Sequence, residues 1–324
     1  MAAKPSLHPL TSKPPTVNSD MQQLSGLIFL FLAVCIGYLA AAFKLINKDA
    51  VAVLPQLLFN ICYPAMILET FSSVDLSLLL GSGLRVAVAT VVLTLILLAL
   101  CLTMFRKLSA QQRALYTFLA GVGNVTFVAI PLFQVFLPTH AVMVAVLHGA
   151  SQDPLIWSIY NPLLISSQSK ESVSIKGIVT NPCLIATFVG LVLVFSGLQL
   201  PSFLMESASR LSSMTAPLAL LMIGMLIHQY GLFSWIRDRK ALLFALIRVI
   251  GFPLVISTLL LPFLGFADAI LLGILFGTPA PLMAVAWATR SKCQESFTIH
   301  CFLVSTMLYL LVMTPLLLFL GSRI

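Results

Sequence analysis

Polar side chains inside long apolar stretches are the groups that could do chemistry in this 324-residue sequence. Asp153, in "HGASQDPLIW" (148–157), places a carboxyl group near the middle of one such stretch. A charged aspartate is unfavourable in hydrocarbon, so we expect it to be protonated, paired or facing water. Two roles stay open: proton coupling, and a structural partnership with Gln152 or Arg85.

Asn124 is the strongest candidate for binding a ligand. It lies in "GVGNVTFVAIPLF" (121–133), where glycines and a proline interrupt an apolar stretch. Glycine loosens a helix and proline removes a backbone donor, which frees polar groups that hydrocarbon cannot satisfy. The uncharged amide of Asn124 suits a carboxylate, and capping of the broken helix is the alternative. A second stretch, "GILFGTPAPLMAVAW" (273–287), is interrupted in the same way, with Thr278 as the weaker counterpart.

Four further ionisable residues lie within apolar stretches. For His148 and His300 we favour hydrogen bonding within the helix bundle over a proton relay. For Arg85 and Arg248 we favour ion pairing or snorkelling to the surface, and attraction of an anionic substrate comes second.

Composition excludes most other classes of protein. Sixty per cent of the residues are hydrophobic and 9% are charged, which excludes an ordinary soluble domain. The net charge of +8 is not concentrated in a long basic cluster, so we expect no nucleic-acid partner. The six cysteines are scattered singly without CxxC spacing, which predicts neither a metal site nor a disulfide framework. HExxH, GxSxG and Walker-type motifs are absent, so we expect neither an enzyme nor a cofactor.

Ten apolar stretches are long enough to be membrane spans. They are continuous rather than alternating, so helices are predicted instead of barrel strands. We place them at about 23–43, 50–71, 79–104, 114–137, 140–165, 178–197, 204–229, 241–264, 267–289 and 296–320.

The distribution of Lys and Arg predicts the orientation. Connections after odd-numbered spans hold twelve, and the tails with the other connections hold four. Because cytoplasmic loops are enriched in these residues, both termini are predicted outside a cell (inner) membrane. Residues 1–22 are polar and proline-rich and are predicted to form a disordered tail. A signal peptide is the minor alternative, because the following apolar run is long for one.

Weak internal similarity predicts two inverted halves, 23–165 and 178–321, joined by a short cytoplasmic loop, 166–177. Inverted repeats with paired, broken helices are typical of secondary transporters whose site lies near the bilayer midplane. Freed helix N-termini would favour an anion there. The matched positions, 152 to 154 residues apart, are Gly37 with Gly190, Pro64 with Pro217, Gly123 and Asn124 with Gly277 and Thr278, and His148 with His300.

Several motifs resemble the auxin efflux carrier family of membrane transporters from about residue 24 to the C-terminus. The fourth span has the family's "GN–IP" pattern, here Gly123, Asn124, Ile130 and Pro131. The others are "NP" at Asn181-Pro182, "APLALLMIGMLI" (216–227) and "GTPAPLMAVAWA" (277–288).

The resemblance implies an all-α, PIN-like fold of ten transmembrane helices, with spans 4 and 9 broken at a crossover. It also implies a homodimer in which spans 1, 2, 6 and 7 form a scaffold. Spans 3–5 and 8–10 would then move as an elevator. The short loop "SSQSKESVSIKG" (166–177) is similar to the compact, bacterial-type branch, which is associated with small carboxylates.

Together these observations predict a secondary transporter of a small organic anion, coupled to protons or sodium. The alternatives are a sodium-coupled carrier of the bile-acid symporter type and a non-transporting sensor. The predicted substrate-binding residues are Asn124, Gly123, Ile130, Pro131, Gly277, Thr278, Pro279, Ala280 and Pro281.

Overall fold

The computed structural model describes residues 17–46, 50–72, 83–167, 176, 179–231 and 238–321. In these ranges the chain is helical and has no strand. Four helices contain a π-helical turn. In the list below it is the middle segment of α2, α6 and α10 and the first segment of α5. The helices are α1 (Val17–Ala42), α2 (Ala50–Leu57, Leu58–Cys62 and Tyr63–Ser72), α3 (Leu84–Met104), α4 (Ala110–Gly121), α5 (Val125–Ala129 and Ile130–Phe136), α6 (Thr139–Leu155, Ile156–Tyr160 and Asn161–Ser166), α7 (Pro182–Ser196), α8 (Ser202–Ser213), α9 (Thr215–Tyr230), α10 (Arg239–Leu246, Ile247–Gly251 and Phe252–Leu264), α11 (Phe266–Phe276), α12 (Leu282–Ser291) and α13 (Glu295–Gly321).

Each π-helical turn is followed closely by a proline, at Pro64, Pro131, Pro162 and Pro253. Proline lacks an N–H group, and its ring clashes with the carbonyl one turn earlier. A π-helical turn widens the helix by one residue, so it accommodates the proline without ending the helix. The helices therefore continue past these prolines.

Six helical stretches are long and apolar enough to cross a membrane, and three shorter apolar helices accompany them. Many large hydrophobic side chains are exposed, among them Phe263, Leu254 and Phe188. Outward-facing apolar side chains of this density suit lipid rather than water. The protein is therefore an all-helical membrane protein. Ten spans and the inverted repeat stay predictions. The six stretches are Val53–Ser72, Leu84–Met104, Ala110–Phe136, Ser202–Tyr230, Arg239–Leu264 and Glu295–Leu320.

The predicted boundaries differ from the observed ones in places. Helix α1 begins at Val17, so residues 17–22, assigned above to the tail, are helical. Most of the loop 166–177 lies outside the described residues, as do residues 1–16. The predicted fourth span corresponds to α4 and α5, and the ninth to α11 and α12.

The helices pack in two groups. In the first, α1 packs along α9, while α2 packs along α7 and α8. The α1–α9 contact is close because a Cβ on Gly224 would collide with the backbone of Val34, and one on Gly37 with the backbone of Leu221. In the second group, α3 packs on α4 and α6, and α10 packs on α11 and α13. The cavity described below lies where the two groups meet.

Candidate functional site

The two predicted helix breaks contact each other. Helix α4 ends at Gly121 and α5 begins at Val125, while α11 ends at Phe276 and α12 begins at Leu282. The place where the two breaks meet is called the crossing below. There the Asn124 backbone N–H donates to the Pro279 carbonyl oxygen at 2.9 Å. This contact therefore gives one backbone N–H group and one carbonyl group a hydrogen bond that the interrupted helices do not provide.

Glycine is required where the breaks touch. A Cβ on Gly123 would collide with the Thr278 hydroxyl and lie 3.0 Å from Arg248 Nη2. A Cβ on Gly277 would collide with the Pro253 ring. A larger residue at Gly123 would therefore push the two breaks apart, and one at Gly277 would push α11 away from α10.

The buried Arg248 side chain binds the carbonyl groups at the crossing. Its Nη1 donates to Leu119 and Ala120, both at 2.8 Å, and its Nη2 donates to Val122 at 2.6 Å. Its Nε donates to Thr278 at 2.5 Å. These carbonyls lie at the C-terminal ends of α4 and α11, where helices leave carbonyl groups unpaired.

The two roles favoured for Arg248, ion pairing and snorkelling, were therefore wrong. The side chain is 2% exposed, so it does not snorkel, and it forms none of the ion pairs found among the described residues. Arg85, by contrast, is exposed at the second residue of α3, as expected for an arginine that reaches the surface.

The Asn124 side chain is buried at the start of α5. Although it occupies the N-cap position of the Val125–Ala129 turn, it makes no side-chain cap hydrogen bond. Its amide nitrogen has no hydrogen-bond partner. The structure therefore contradicts the capping alternative and leaves a buried donor without an acceptor, which is rare in folded proteins.

A small cavity of about 40 Å³ adjoins Asn124 at the crossing. Its walls include the aromatic rings of Phe59, Phe127 and Trp157. The Phe59 ring makes T-shaped contacts with the other two, and the Tyr63 ring packs against all three. The Trp157 indole N–H is also buried without a partner. Two unpaired N–H donors thus belong to residues that line one cavity.

Asp153 lines the same cavity and is buried. The Tyr63 hydroxyl donates to its carboxylate at 2.7 Å, and the Thr126 hydroxyl donates in turn to Tyr63 at 3.2 Å. Neither of the partners named from sequence binds it. The Gln152 amide instead donates to the Thr94 hydroxyl and the Gly121 carbonyl, and Arg85 is at the surface.

The predicted substrate-binding residues divide into two sets. Gly123, Asn124 and Pro281 line the cavity. The others do not, because they build the crossing or lie beyond it. Ile130 and Pro131 belong to the continuous second segment of α5, so the free N–H groups of this half-helix precede them. Gly277, Thr278, Pro279 and Ala280 form the connection from α11 to α12.

The connection between α11 and α12 is held by its own hydrogen bonds. The Thr278 hydroxyl donates to the Leu275 carbonyl at 2.7 Å, and the Ala280 N–H donates to the Ser305 hydroxyl at 3.0 Å. The Thr278 side chain is therefore engaged within its own break, unlike that of its counterpart Asn124.

Both histidines named from sequence have hydrogen-bond partners. His148 Nδ1 lies 3.1 Å from the Thr90 hydroxyl, and His300 Nδ1 lies 3.0 Å from Asp238 Oδ2. Asp238 lies just before α10, where partial burial opposes its charge. The hydrogen bonds from His300 and from the Ala241 N–H outweigh burial, so the pKa of Asp238 lies below its ordinary value.

Among the described residues, no cluster of three or more His, Cys, Asp or Glu side chains could hold a metal ion. The site instead combines unpaired N–H donors, a carboxyl group, aromatic walls and two broken helices, which are features of a binding site within a membrane. A family model described as membrane transport protein matches residues 24–318. The chain belongs to this family, that of the auxin efflux carriers.

The protein is therefore a membrane transporter and not an enzyme. A search of curated proteins finds no match to it. The residues of this transporter's cavity that sequence reasoning missed include Tyr63, Trp157 and Phe59. Tyr63 stands in the "YPAMIL" segment, next to the matched Pro64, but it is 90 residues from Asp153. No local pattern connects residues so far apart.

Proposed function

We propose that this transporter is a secondary active carrier that moves a small organic anion, in the simplest case a carboxylate, together with a proton. The observation that carries the proposal is the buried Asn124 amide without a partner, beside the Trp157 N–H and the Asp153 carboxyl group in one cavity. The donors would hold the anion, and Asp153 would carry the proton.

The unpaired donors favour an acceptor as ligand. Leaving a buried donor unsatisfied costs about 1–3 kcal/mol, and an oxygen of a bound anion would remove that penalty for both Asn124 and Trp157. The α5 half-helix also begins at the cavity, where its N-terminus carries roughly half a positive charge. The Arg248 guanidinium adds a positive charge behind the Val122 and Gly123 backbone.

Asp153 couples the anion to a proton in this proposal. Two negative charges in a cavity of about 40 Å³ would repel each other strongly, so a carboxylate enters when Asp153 is protonated. When the proton leaves on the other side of the membrane, the same repulsion expels the anion. The proton and the anion therefore move together.

The cavity holds only a few water molecules at its present volume, so binding requires the two helix groups to separate slightly. Its aromatic walls suit a substrate whose body is apolar and whose one charged group lies near Asn124. Small monocarboxylates with an apolar body are therefore the first substrates to test.

The two packed helix groups support an elevator movement. Tyr63 and Phe59 belong to the group of α1, α2 and α7–α9, whereas Asn124, Asp153 and Trp157 belong to the other. The cavity thus lies between a scaffold and a unit that could slide against it.

The matched glycines Gly37 and Gly190 lie at corresponding helix contacts. Gly37 packs α1 against α9, and Gly190 packs α7 against Phe71 of α2. An inverted repeat requires such paired contacts. A homodimer in the cell membrane, with both termini outside, completes the proposal.

Counterflow in proteoliposomes tests the proposal. Vesicles preloaded with an unlabelled carboxylate should accumulate the same labelled carboxylate only when they contain the protein. The substrate is found first by a thermal-shift screen of mono- and dicarboxylates. Binding without counterflow would overturn transport and favour a sensor. Accumulation driven by a sodium gradient and not by a proton gradient would overturn the coupling.

A further inference from the structure

We infer that the crossing contains a cation site made of four backbone carbonyl oxygens, and that the Arg248 side chain fills it permanently in place of a metal ion. The carbonyls belong to Leu119, Ala120, Val122 and Thr278. The consequence for coupling, that transport needs no sodium, rests on the proposed function. The site itself does not.

The carbonyl arrangement is that of a cation site. Three of the oxygens lie at the C-terminal end of α4 and the fourth lies just beyond the end of α11. Each helix C-terminus carries roughly half a negative charge, and its last carbonyls have no N–H partner within the helix. Broken helices whose free carbonyls converge in this way coordinate alkali cations in secondary transporters.

The Arg248 guanidinium takes the position of such an ion. All three of its nitrogens donate to these oxygens, at 2.5–2.8 Å. Within the described ranges it forms no ion pair with a carboxylate, so the carbonyl dipoles and the nearby Phe252 ring compensate its charge. A desolvated metal cation in the same place would be compensated by the same dipoles.

A tethered cation and a mobile one exclude each other here. The four oxygens are already engaged, and Gly123 packs directly against the guanidinium. A charge fixed to α10 cannot be released on one side of the membrane, so it cannot store the energy of an ion gradient. The crossing is held together continuously, and coupling falls to Asp153.

Melting of purified protein tests the site without any substrate. In buffer whose only monovalent cation is N-methylglucamine, Arg248→Ala should lower Tm by on the order of 10 °C, because four buried carbonyls lose their donors. Guanidinium at low millimolar concentration, or sodium, should then restore part of the loss saturably. The parent protein should melt at the same temperature in sodium and in N-methylglucamine.

Two further variants serve as controls. Arg85→Ala removes an exposed arginine and should neither lower Tm nor create a response to guanidinium. Arg248→Lys keeps the charge but offers fewer donors, so it should melt between the parent and Arg248→Ala. If Arg248→Ala does not fold, the lysine variant and the parent decide the question.

Three results would overturn the inference: a saturable stabilisation of the parent by sodium, an unchanged Tm in Arg248→Ala, or a destabilised variant that no cation rescues. Because none of these measurements uses a substrate, failure of carboxylate transport would leave the inference intact. Conversely, failure of the inference about the Arg248 site would not contradict anion binding at Asn124.

Discussion

The Tyr63 hydroxyl and the Asp153 carboxylate are joined by a 2.7 Å hydrogen bond that connects the two packed groups of helices. Tyr63 belongs to α2 and Asp153 to α6. If the groups slide against each other during transport, this bond must break and re-form. Under the proposed mechanism, the bond would connect the protonation of Asp153 to the relative position of the two groups.

Tyr63→Phe tests this connection. The change removes the hydroxyl and keeps the ring, so the aromatic contacts persist while Asp153 loses its donor. The loss of about 1–3 kcal/mol should lower Tm and shift the pH dependence of uptake. Tyr116→Phe is the matched control, because its ring packs between Phe105 and Phe297 away from the cavity. An unchanged pH profile in Tyr63→Phe would contradict the connection.

Asp153→Asn separates the proton from the substrate. The amide cannot release a proton, so uphill uptake driven by a pH gradient should be abolished. Exchange of labelled for unlabelled substrate should persist, since it needs binding and movement but no net proton transfer. Both activities are measured in the same proteoliposomes. Equal loss of both would assign Asp153 a structural or substrate-binding role instead.

Asn124→Ala should weaken substrate binding without weakening the fold. The amide nitrogen has no partner in the protein, so its removal should leave Tm unchanged or slightly higher. A lost hydrogen bond to a charged ligand is worth about 1.5–3 kcal/mol, so affinity should fall by about tenfold to a hundredfold or somewhat more. Calorimetry beside the melting temperature measures both effects. Gln134→Ala, on the exposed face of α5, is the control. Parent-like affinity in Asn124→Ala would contradict the proposed anion site.

Pro279→Ala and Pro281→Ala test the break between α11 and α12. Each alanine restores a backbone N–H and favours continuation of the helix. We expect retained or increased Tm together with impaired counterflow. Pro315→Ala changes a proline inside the continuous helix α13 and should leave counterflow intact. Normal counterflow in both Pro279→Ala and Pro281→Ala would show that the break is a kink without a role in transport.

The predicted orientation can be tested by labelling single cysteines in a cysteine-free background. Thr139→Cys and Gln199→Cys should react with an impermeant thiol reagent in intact cells, because both exposed residues follow even-numbered spans. Lys107→Cys, exposed after the third span, should react only after the cells are opened. The opposite pattern would invert the proposed topology.

Hydropathy and helix-breaking residues, read from the sequence alone, determined the membrane class and the two broken helices, and they placed Asn124 at one of the breaks. These properties are local: an apolar run of sufficient length must cross lipid, and a Gly- and Pro-rich segment within it must interrupt the helix. The motifs around Gly123 and Pro281 also led to the family that the comparison establishes.

Only the tertiary structure decided what the buried charges do. Sequence reasoning predicted that Arg248 would pair with a carboxylate or reach the surface. In the structure, its side chain binds carbonyl groups up to 129 residues away. Sequence reasoning left proton coupling open for Asp153 and named only Gln152 and Arg85 as structural partners, yet the partner is Tyr63. In both cases the contact joins separate helices. Hydropathy specifies that a helix is buried in lipid, but packing between helices determines which polar groups face each other.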